Sequence, residues 1–232
     1  MKAYFRENIA RSIQAGSILR LGRYMLPTSG KPYDLDIKIY KDLEWIVLHR
    51  EGMRVLLLSR DIVDWDFIDG TGNPQTWENC FARKEILPKF YEECFTDKEK
   101  RLIVPVKLFT DDNPVFGTKG GRSTIDYVFL LSAEEFRKYV SPEAAAAPMY
   151  MLERCFLKGL EEEKNFELFQ HNTEWWLRTP GAEQYCNAIV NRYGELDLEG
   201  LENGSDEVGI RPAVWINLIE ILQEDGDDDL PF

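Results

Sequence analysis

The chain contains few of the residues from which most metal and catalytic sites are built. Only two histidines, His49 and His171, occur among 232 residues, and the four cysteines are scattered without a CxxC pair. Zinc sites need closely spaced cysteines and histidines, so neither a metal nor a cofactor is expected. No local motif places a histidine beside a nucleophile, so a Cys-His or Ser-His pair is not expected either. The cysteines are expected to be reduced, mostly buried thiols: Cys80, Cys94, Cys155 and Cys186.

Positive charge is also scarce in this chain. Its 28 lysines and arginines face 41 aspartates and glutamates, which gives a net charge of -13. Nucleic-acid binding draws on cationic side chains that displace counterions, and anionic membranes likewise attract basic segments. Neither a nucleic acid nor a membrane is therefore an expected partner. The sequence has no apolar run that suits a signal peptide or a membrane span, so a cytoplasmic location is expected.

Length and composition favour one domain with one substantial core. Hydrophobic residues make up 44% and aromatic residues 12% of the chain. No low-complexity linker or internal repeat divides it. We expect a single domain over residues 1–220, followed by an acidic tail over residues 221–232. A helix is expected within residues 1–20, because apolar residues between Glu7 and Leu21 fall loosely at helical spacing.

Two apolar segments predict a β-hairpin early in the chain. The segments Trp45–Leu48 and Val55–Leu58 are joined by a short connection that contains Gly52. β-Type runs that are this uniformly apolar are typical of strands buried on both faces.

The middle of the chain carries several helix signals. Apolar residues of Thr76–Tyr91 fall near one helical stripe, which Pro88 is expected to end or kink. Capping boxes are predicted at Thr96–Glu99 and Ser132–Glu135, where a hydroxyl and a glutamate exchange hydrogen bonds with backbone amides. Ser141–Pro142 supplies a cap and a first-turn proline for one more helix.

The last part of the chain returns to a β pattern. An antiparallel meander is predicted over Trp175–Arg178, Cys186–Arg192, Glu195–Leu198 and Gly209–Ile216, with Tyr193-Gly194 in a turn. Helices in the middle and antiparallel strands from both ends of the chain predict an α+β fold.

Two groups of carboxylates resemble metal sites only loosely. Asp64, Asp66 and Asp69 are explained as well by turn and capping roles as by a metal, and we favour a loop. The acidic residues from Glu224 to Asp229 lack the EF-hand spacing and its final glutamate, so a solvated tail is favoured over a calcium site.

A glycine-rich stretch resembles a phosphate-binding loop in composition. Gly117–Ser123 does not fit GxxxxGK[ST], and no apolar strand precedes it in the right register. A mobile surface loop, with a lid as one possible role, is therefore favoured.

Two late segments each combine tryptophan with arginine. They are Trp175–Gly181, which contains Arg178, and Gly209–Trp215, which contains Arg211. A buried arginine requires partners, so hydrogen bonds to backbone carbonyls or carboxylates are favoured. Presentation of the two guanidinium groups to an anionic or sugar ligand is the alternative.

These motifs resemble those of an uncharacterised bacterial domain family, found mainly in Firmicutes and without an assigned activity. The resemblance runs from about Gly16 to Trp215 and is strongest in the WWLRTPG and GIRPA motifs. It is also carried, in order, by Glu44–Leu48, Val55–Ser59, Thr76–Glu78, Phe81–Arg83, Phe90–Tyr91, Phe95–Thr96 and Phe129–Ser132.

A WWLR strand followed by a GIRP strand is also similar to the C-terminal part of C-type-lectin-like folds. Those folds include relatives of the formylglycine-generating enzyme and the variable proteins of diversity-generating retroelements. The resemblance implies a compact α+β domain whose late irregular segments display a binding surface. The chain lacks the closely spaced catalytic cysteines of the enzyme branch, with only Cys186 in that region. It also lacks the EPN and WND motifs of calcium-dependent lectins.

The leading hypothesis is a non-catalytic recognition domain that binds a protein, a small molecule or a glycan. Its binding surface is expected in the polar segment 182–208, because tyrosine, asparagine and arginine make adaptable contacts on loops. The candidate ligand-binding residues are Arg178, Tyr185, Asn187, Asn191, Arg192, Tyr193 and Arg211.

Two alternatives remain open. One is an enzyme with a pocket between the helical and β parts that uses His171 or Asp66 as its base. The other is a structural or oligomerisation domain, which requires a large apolar contact surface.

Overall fold

A computed structural model describes residues 12–26, 39–147, 173–206 and 208–220. In them the protein is a mixed α+β fold, as predicted, with two main sheets and a separate two-stranded ribbon. The strands are β1 (Ile18–Leu26), β2 (Ile39–Glu51), β3 (Arg54–Ser59), β4 (Asp64–Trp65), β5 (Ile103–Val104), β6 (Val106–Leu108), β7 (Thr124–Asp126), β8 (Val128–Phe129), β9 (Trp175–Pro180), β10 (Cys186–Val190), β11 (Leu196–Glu202), β12 (Gly209–Ile210) and β13 (Ala213–Asn217). The helices are α1 (Leu87–Cys94), α2 (Asp97–Leu102), α3 (Ala133–Tyr139) and α4 (Pro142–Ala145), and a π-helical turn (Ala82–Ile86) leads into α1.

The first sheet has the order β1-β2-β3-β13-β5, and β8 also pairs with β13. The predicted hairpin is confirmed as β2 and β3, joined by the turn at Gly52 and Met53. Gly52 has a φ of 61°, a left-handed conformation that glycine adopts without strain. The apolar run Val55–Leu58 is buried along its whole length, so both faces of β3 are covered as expected.

The second sheet has the order β11-β10-β9-β12-β4. Its first three strands form the predicted antiparallel meander, and Tyr193-Gly194 lies in the turn between β10 and β11. Gly194 has a φ of 81°, which explains why a glycine occupies this turn.

The predicted fourth strand of the meander, Gly209–Ile216, is wrong as one element. Its first part is β12, which pairs with β9 in parallel and with β4. Its second part is β13, which lies in the first sheet between β3 and β5. The break falls at Arg211-Pro212, and proline cannot donate a hydrogen bond to continue a ladder. Arg211 therefore marks the point at which the chain crosses from one sheet to the other.

Of the helix expected within residues 1–20, residues 1–11 lie outside the described residues, and Ser12 is helical. From Ile18 the chain is strand β1. Leu19 and Leu21 are buried while Ile18 and Arg20 are exposed, so burial follows the two-residue period of a strand. Gly16, with a φ of 87°, stands just before the strand.

The helix predicted over Thr76–Tyr91 is shifted and continues through Pro88. It begins with the π-helical turn, in which the Leu87 amide donates to the carbonyl of Ala82, and runs on to Cys94. Pro88 stands at the start of the α-helical part, where its missing N–H costs least. The wide π turn before it takes the place of the expected end or kink.

Both predicted capping boxes are confirmed, at the start of α2 and of α3. In α3 the Ser132 hydroxyl accepts from the Glu135 amide at 3.1 Å, and Glu135 accepts from the Ser132 amide at 2.9 Å. Pro142 is the first residue of α4, as predicted, but Ser141 makes no side-chain cap, and the helix ends at Ala145.

This difference between two serines gives a matched test of the capping argument. Ser132→Ala should lower the free energy of unfolding by about 1 kcal/mol, because it leaves a helix amide without its acceptor. Ser141→Ala should change it by less than about 0.5 kcal/mol, because no capping bond is lost. Urea unfolding of the two variants measures both values, and equal losses would contradict the role given to Ser132.

Candidate functional site

Arg178 is buried at the centre of the described fold. Its side chain is 2% exposed and projects from β9 towards the segment that leads into α3. It donates to the carbonyls of Leu130 at 2.8 Å and Phe109 at 3.1 Å, to the Thr110 hydroxyl at 3.3 Å, and to the Glu135 carboxylate. All three of its nitrogens thus make hydrogen bonds, as expected for a buried arginine.

Arg211 is bound differently, by carbonyl groups. Its guanidinium donates to the carbonyls of Ser59 at 2.9 Å, Ala144 at 2.8 Å and Arg60 at 3.2 Å, and it lies 4.9 Å from the centre of the Trp175 ring. Burial lowers the pKa of Arg211 to about 9, so the side chain remains a cation at neutral pH. The hydrogen bonds predicted for both arginines are therefore present.

Arg178 also lies at the base of a cleft with a volume of about 320 Å³. The end of the β2–β3 hairpin, the β6 strand with the residues after it, helix α3 and strand β13 enclose this cleft. Its lining comprises Glu51, Arg54, Val106, Lys107, Leu108, Phe109, Asp111, Ser132, Glu134, Glu135, Lys138, Tyr139, Arg178 and Trp215. We call it the ring-and-cation cleft.

Three cationic side chains of this cleft lie over three aromatic rings. Arg54 is 5.1 Å from the ring centre of Trp215, Lys107 is 5.0 Å from that of Phe109, and Lys138 is 4.8 Å from that of Tyr139. A ring face attracts a cation without neutralising its charge. The three charges therefore remain available to a ligand.

Tyr139 and Lys138 also interact with other residues close to the cleft. The ring of His49 stacks on that of Tyr139 with 4.7 Å between centres, and it meets the Trp215 ring edge-on at 6.4 Å. The Tyr139 hydroxyl and, to a smaller extent, the carboxylates of Glu134 and Glu51 raise the pKa of Lys138. Lys138 is thus positively charged throughout the physiological range.

The structure does not bring the seven predicted site residues together. Tyr185, 41% exposed, precedes β10, whereas Tyr193, 77% exposed, follows it. A five-residue strand separates the two, which corresponds to about 17 Å at 3.3 Å per residue. Arg178 and Arg211 are buried in separate hydrogen-bond networks, and of the seven residues only Arg178 lines the ring-and-cation cleft.

Three further candidates have local structural roles. Asn187 is buried and donates to the carbonyls of Leu177 and Thr179. Asn191 accepts from the amides of Tyr193 and Glu195 and so holds the β10–β11 turn. Arg192 lies 3.5 Å from Glu174 in an ion pair on the surface.

The aspartates have structural roles, as favoured above, whereas the glycine-rich stretch, for which a mobile surface loop was favoured, is held by hydrogen bonds to other segments. Asp69 is buried and accepts from Thr71 and from the Phe81 amide, and Asp66 accepts from the next amide. In the stretch Gly117–Ser123, Thr118 donates to the Gly181 carbonyl. In the part of the chain described, no group of three histidine, cysteine or acidic side chains suits a metal ion. The acidic tail and His171 lie outside the described residues.

Sequence reasoning missed the cleft because its residues come from five separate segments. Arg54, Lys107 and Lys138 each look like an ordinary surface cation in the sequence. A cation one or two positions from an aromatic residue, as in Lys107 and Phe109, was the only local signal, and it is a common one.

The fold and the cleft define an α+β protein with a cleft that is lined by charges of both signs. The family model described as "Domain of unknown function (DUF6273)" matches residues 53–218. The chain therefore belongs to this family, and the match contains every lining residue of the cleft except Glu51. No curated protein and no solved structure is detectably similar to the chain. None of the described helices has the length and apolar character needed to cross a bilayer.

Proposed function

We propose that this protein is a non-catalytic recognition domain that binds its ligand in the ring-and-cation cleft. The observation that carries the proposal is the set of three cations held over aromatic rings around one concavity, above the buried Arg178. Ligand sites combine a concave surface, apolar rings and a few directed polar groups in this way. Rings and strand-borne side chains that already make contacts lose little freedom on binding.

A C-type-lectin-like arrangement is part of this proposal. Its support is the WWLR strand β9 within an antiparallel meander and the GIRP segment that crosses between the sheets. A cytoplasmic location is also proposed, because Cys80, Cys94 and Cys186 are free thiols.

The polar segment 182–208 is proposed as a second contact surface for a protein or glycan partner. Tyr185 and Tyr193 are its exposed aromatic side chains, and tyrosine contributes contact area at low entropic cost. Tyr193→Ser should weaken binding of such a partner and leave the free energy of unfolding unchanged. The enzyme alternative gains no support from the cleft, since Asp66 is not among its lining residues.

Association through an apolar surface is a second candidate function. Phe109, Val115, Phe116, Ile125 and Tyr127 are all exposed, and they lie in the β6–β7 ribbon, in the connection between its strands or directly after it in the chain. Exposed apolar residues that lie close together are typical of interaction sites. Light scattering at several protein concentrations tests this candidate, and a monomer throughout would remove it.

A thermal-shift screen over glycans, nucleotides, organic acids, amino acids and divalent ions tests the leading proposal. At about one hundred times its Kd, a ligand stabilises the folded state by about 2.7 kcal/mol, which corresponds to a rise in Tm of about 5–10 °C. Phe109→Ser should reduce this rise, because Phe109 lines the cleft and its ring holds Lys107.

The matched control is Phe116→Ser, which removes an exposed ring that does not line the cleft. It should leave the ligand-induced rise in Tm unchanged. The proposal is wrong if no compound raises Tm, or if both variants respond to the compound as the unmodified protein does.

A further inference from the structure

We infer that the ring-and-cation cleft takes a small zwitterion, a molecule that carries both an ammonium and a carboxylate group. This inference rests on the proposed function and adds to it the chemical class of the ligand. The chemistry is that of a free amino acid or of a very short peptide with free ends.

The charges that line the cleft come in equal numbers of each sign. Arg178 and Glu135 form an ion pair at its base and so neutralise each other. The cations that remain are Arg54, Lys107 and Lys138, and the carboxylates that remain are Glu51, Asp111 and Glu134. A single ligand that satisfies both sets must itself carry both signs.

Neither set is used up by ion pairs between described residues. The three cations lie against rings. Among the ion pairs of the described residues, none involves Arg54, Lys107 or Lys138. Elsewhere the usual arrangement is different: Arg83 lies 2.8 Å from Asp126, and Lys119 lies 2.6 Å from Asp112. Glu134 and Glu51 are near enough to Lys138 to raise its pKa, but these groups form no ion pair with it. The cleft thus presents charges of both signs around one concavity, where a ligand with two opposite charges can lie between them.

The net charge of the whole chain further restricts the chemical class of the ligand. A net charge of -13 repels a ligand that is only anionic as it approaches, whereas a zwitterion has no net charge. A ligand that is only cationic has no anionic group to bind the three cations of the lining, and they would repel it. The rings of Trp215, Tyr139 and Phe109 supply apolar contact for the rest of the molecule, and a volume of about 320 Å³ suits a molecule of this size.

Isothermal titration calorimetry of the whole chain tests the inference. The probes are the twenty L-amino acids, first in pools and then singly, together with L-alanyl-L-alanine and L-phenylalanyl-L-alanine. The best binder is then compared with its N-acetyl form, which lacks the ammonium, and its amide, which lacks the carboxylate. Each blocked form should bind at least tenfold more weakly, because each loses a hydrogen bond between charged groups. Stronger binding of the dipeptides than of single amino acids would show that the ligand is a short peptide and not a free amino acid.

Two variants locate the two charges of the ligand. Lys107→Gln should weaken binding of the free amino acid and not of its amide, and Glu134→Gln should weaken binding of the free form and not of its N-acetyl form. Arg23→Gln is the control, since Arg23 is an exposed side chain paired with Asp42 on β1 and β2 and does not line the cleft.

The outcomes separate this inference from the proposed function. Equal binding of the free and blocked forms, or binding of only a glycan, nucleotide or organic acid at the same cleft, overturns the zwitterion and leaves the recognition domain. Binding of no compound from either experiment overturns both.

Discussion

Replacement of Arg211 by methionine should destabilise the protein by more than about 4 kcal/mol. The variant keeps much of the side-chain volume but removes the donors that satisfy the carbonyls of Ser59, Ala144 and Arg60. Each buried acceptor that loses its partner costs about 1–3 kcal/mol. The free energy of unfolding of a whole domain is about 5–15 kcal/mol, so a substantial unfolded fraction is expected at 37 °C.

The change in the free energy of unfolding should be measured by urea unfolding at 25 °C, with circular dichroism as the signal. Arg192→Met is the matched control, because Arg192 is 61% exposed in its ion pair and should change stability by less than about 0.5 kcal/mol. Arg211→Lys keeps the charge but not the planar guanidinium. Its loss of unfolding free energy should therefore lie between those of Arg211→Met and Arg192→Met. A loss below about 1 kcal/mol for Arg211→Met would show that the carbonyls find other partners.

Gly200→Ala should cost about 3 kcal/mol or more. Gly200 has a φ of 72°, and a Cβ atom there would lie 2.0 Å from the Asn187 carbonyl oxygen on the neighbouring strand. The left-handed conformation costs an alanine about 1–2 kcal/mol, and the backbone must also move to relieve the overlap, which adds about 1–3 kcal/mol. The register between β10 and β11 shifts in this region, so the glycine belongs to a bulge that a side chain would distort.

Gly204→Ala provides the control four residues later. No atom lies within 4 Å of a Cβ built on Gly204, and its φ is not in the left-handed region. This variant should be neutral or up to about 1 kcal/mol more stable, since alanine restricts the unfolded chain. The two alanine variants should therefore differ in thermal unfolding by well over 5 °C. Similar Tm values would contradict the predicted overlap between a Cβ atom at position 200 and the Asn187 carbonyl oxygen.

The elements that sequence reasoning predicted well are those with short-range signals. The β2–β3 hairpin follows from two apolar runs around Gly52, and the capping boxes follow from a serine or threonine three residues before a glutamate. The buried state of Arg178 and Arg211 was also predictable, because each lies in a tryptophan-containing strand segment.

The elements that were wrong depended on contacts between distant residues. Leu19 and Leu21, the last apolar residues counted with the N-terminal helix, fit a helix about as well as a strand until β2 is known to lie beside them. The division of Gly209–Ile216 arises because β3 and β9, about 120 residues apart, each take one half of it. The ring-and-cation cleft forms only when five separate segments come together in the fold, and no single segment shows a ligand-binding pattern.

The position of β13 has a consequence for how the protein is made. This strand pairs Val214 with Leu57 and with Val128, so the first sheet lacks a central member until nearly all of the described chain has been synthesised. Pairing over such sequence separations is slow, because the loop entropy is lost before the contacts form. The edges of β3 and β8 stay open on the ribosome until β13 emerges. Folding of this domain should therefore wait for the synthesis of β13, and nascent chains that stop before residue 213 should remain sensitive to protease.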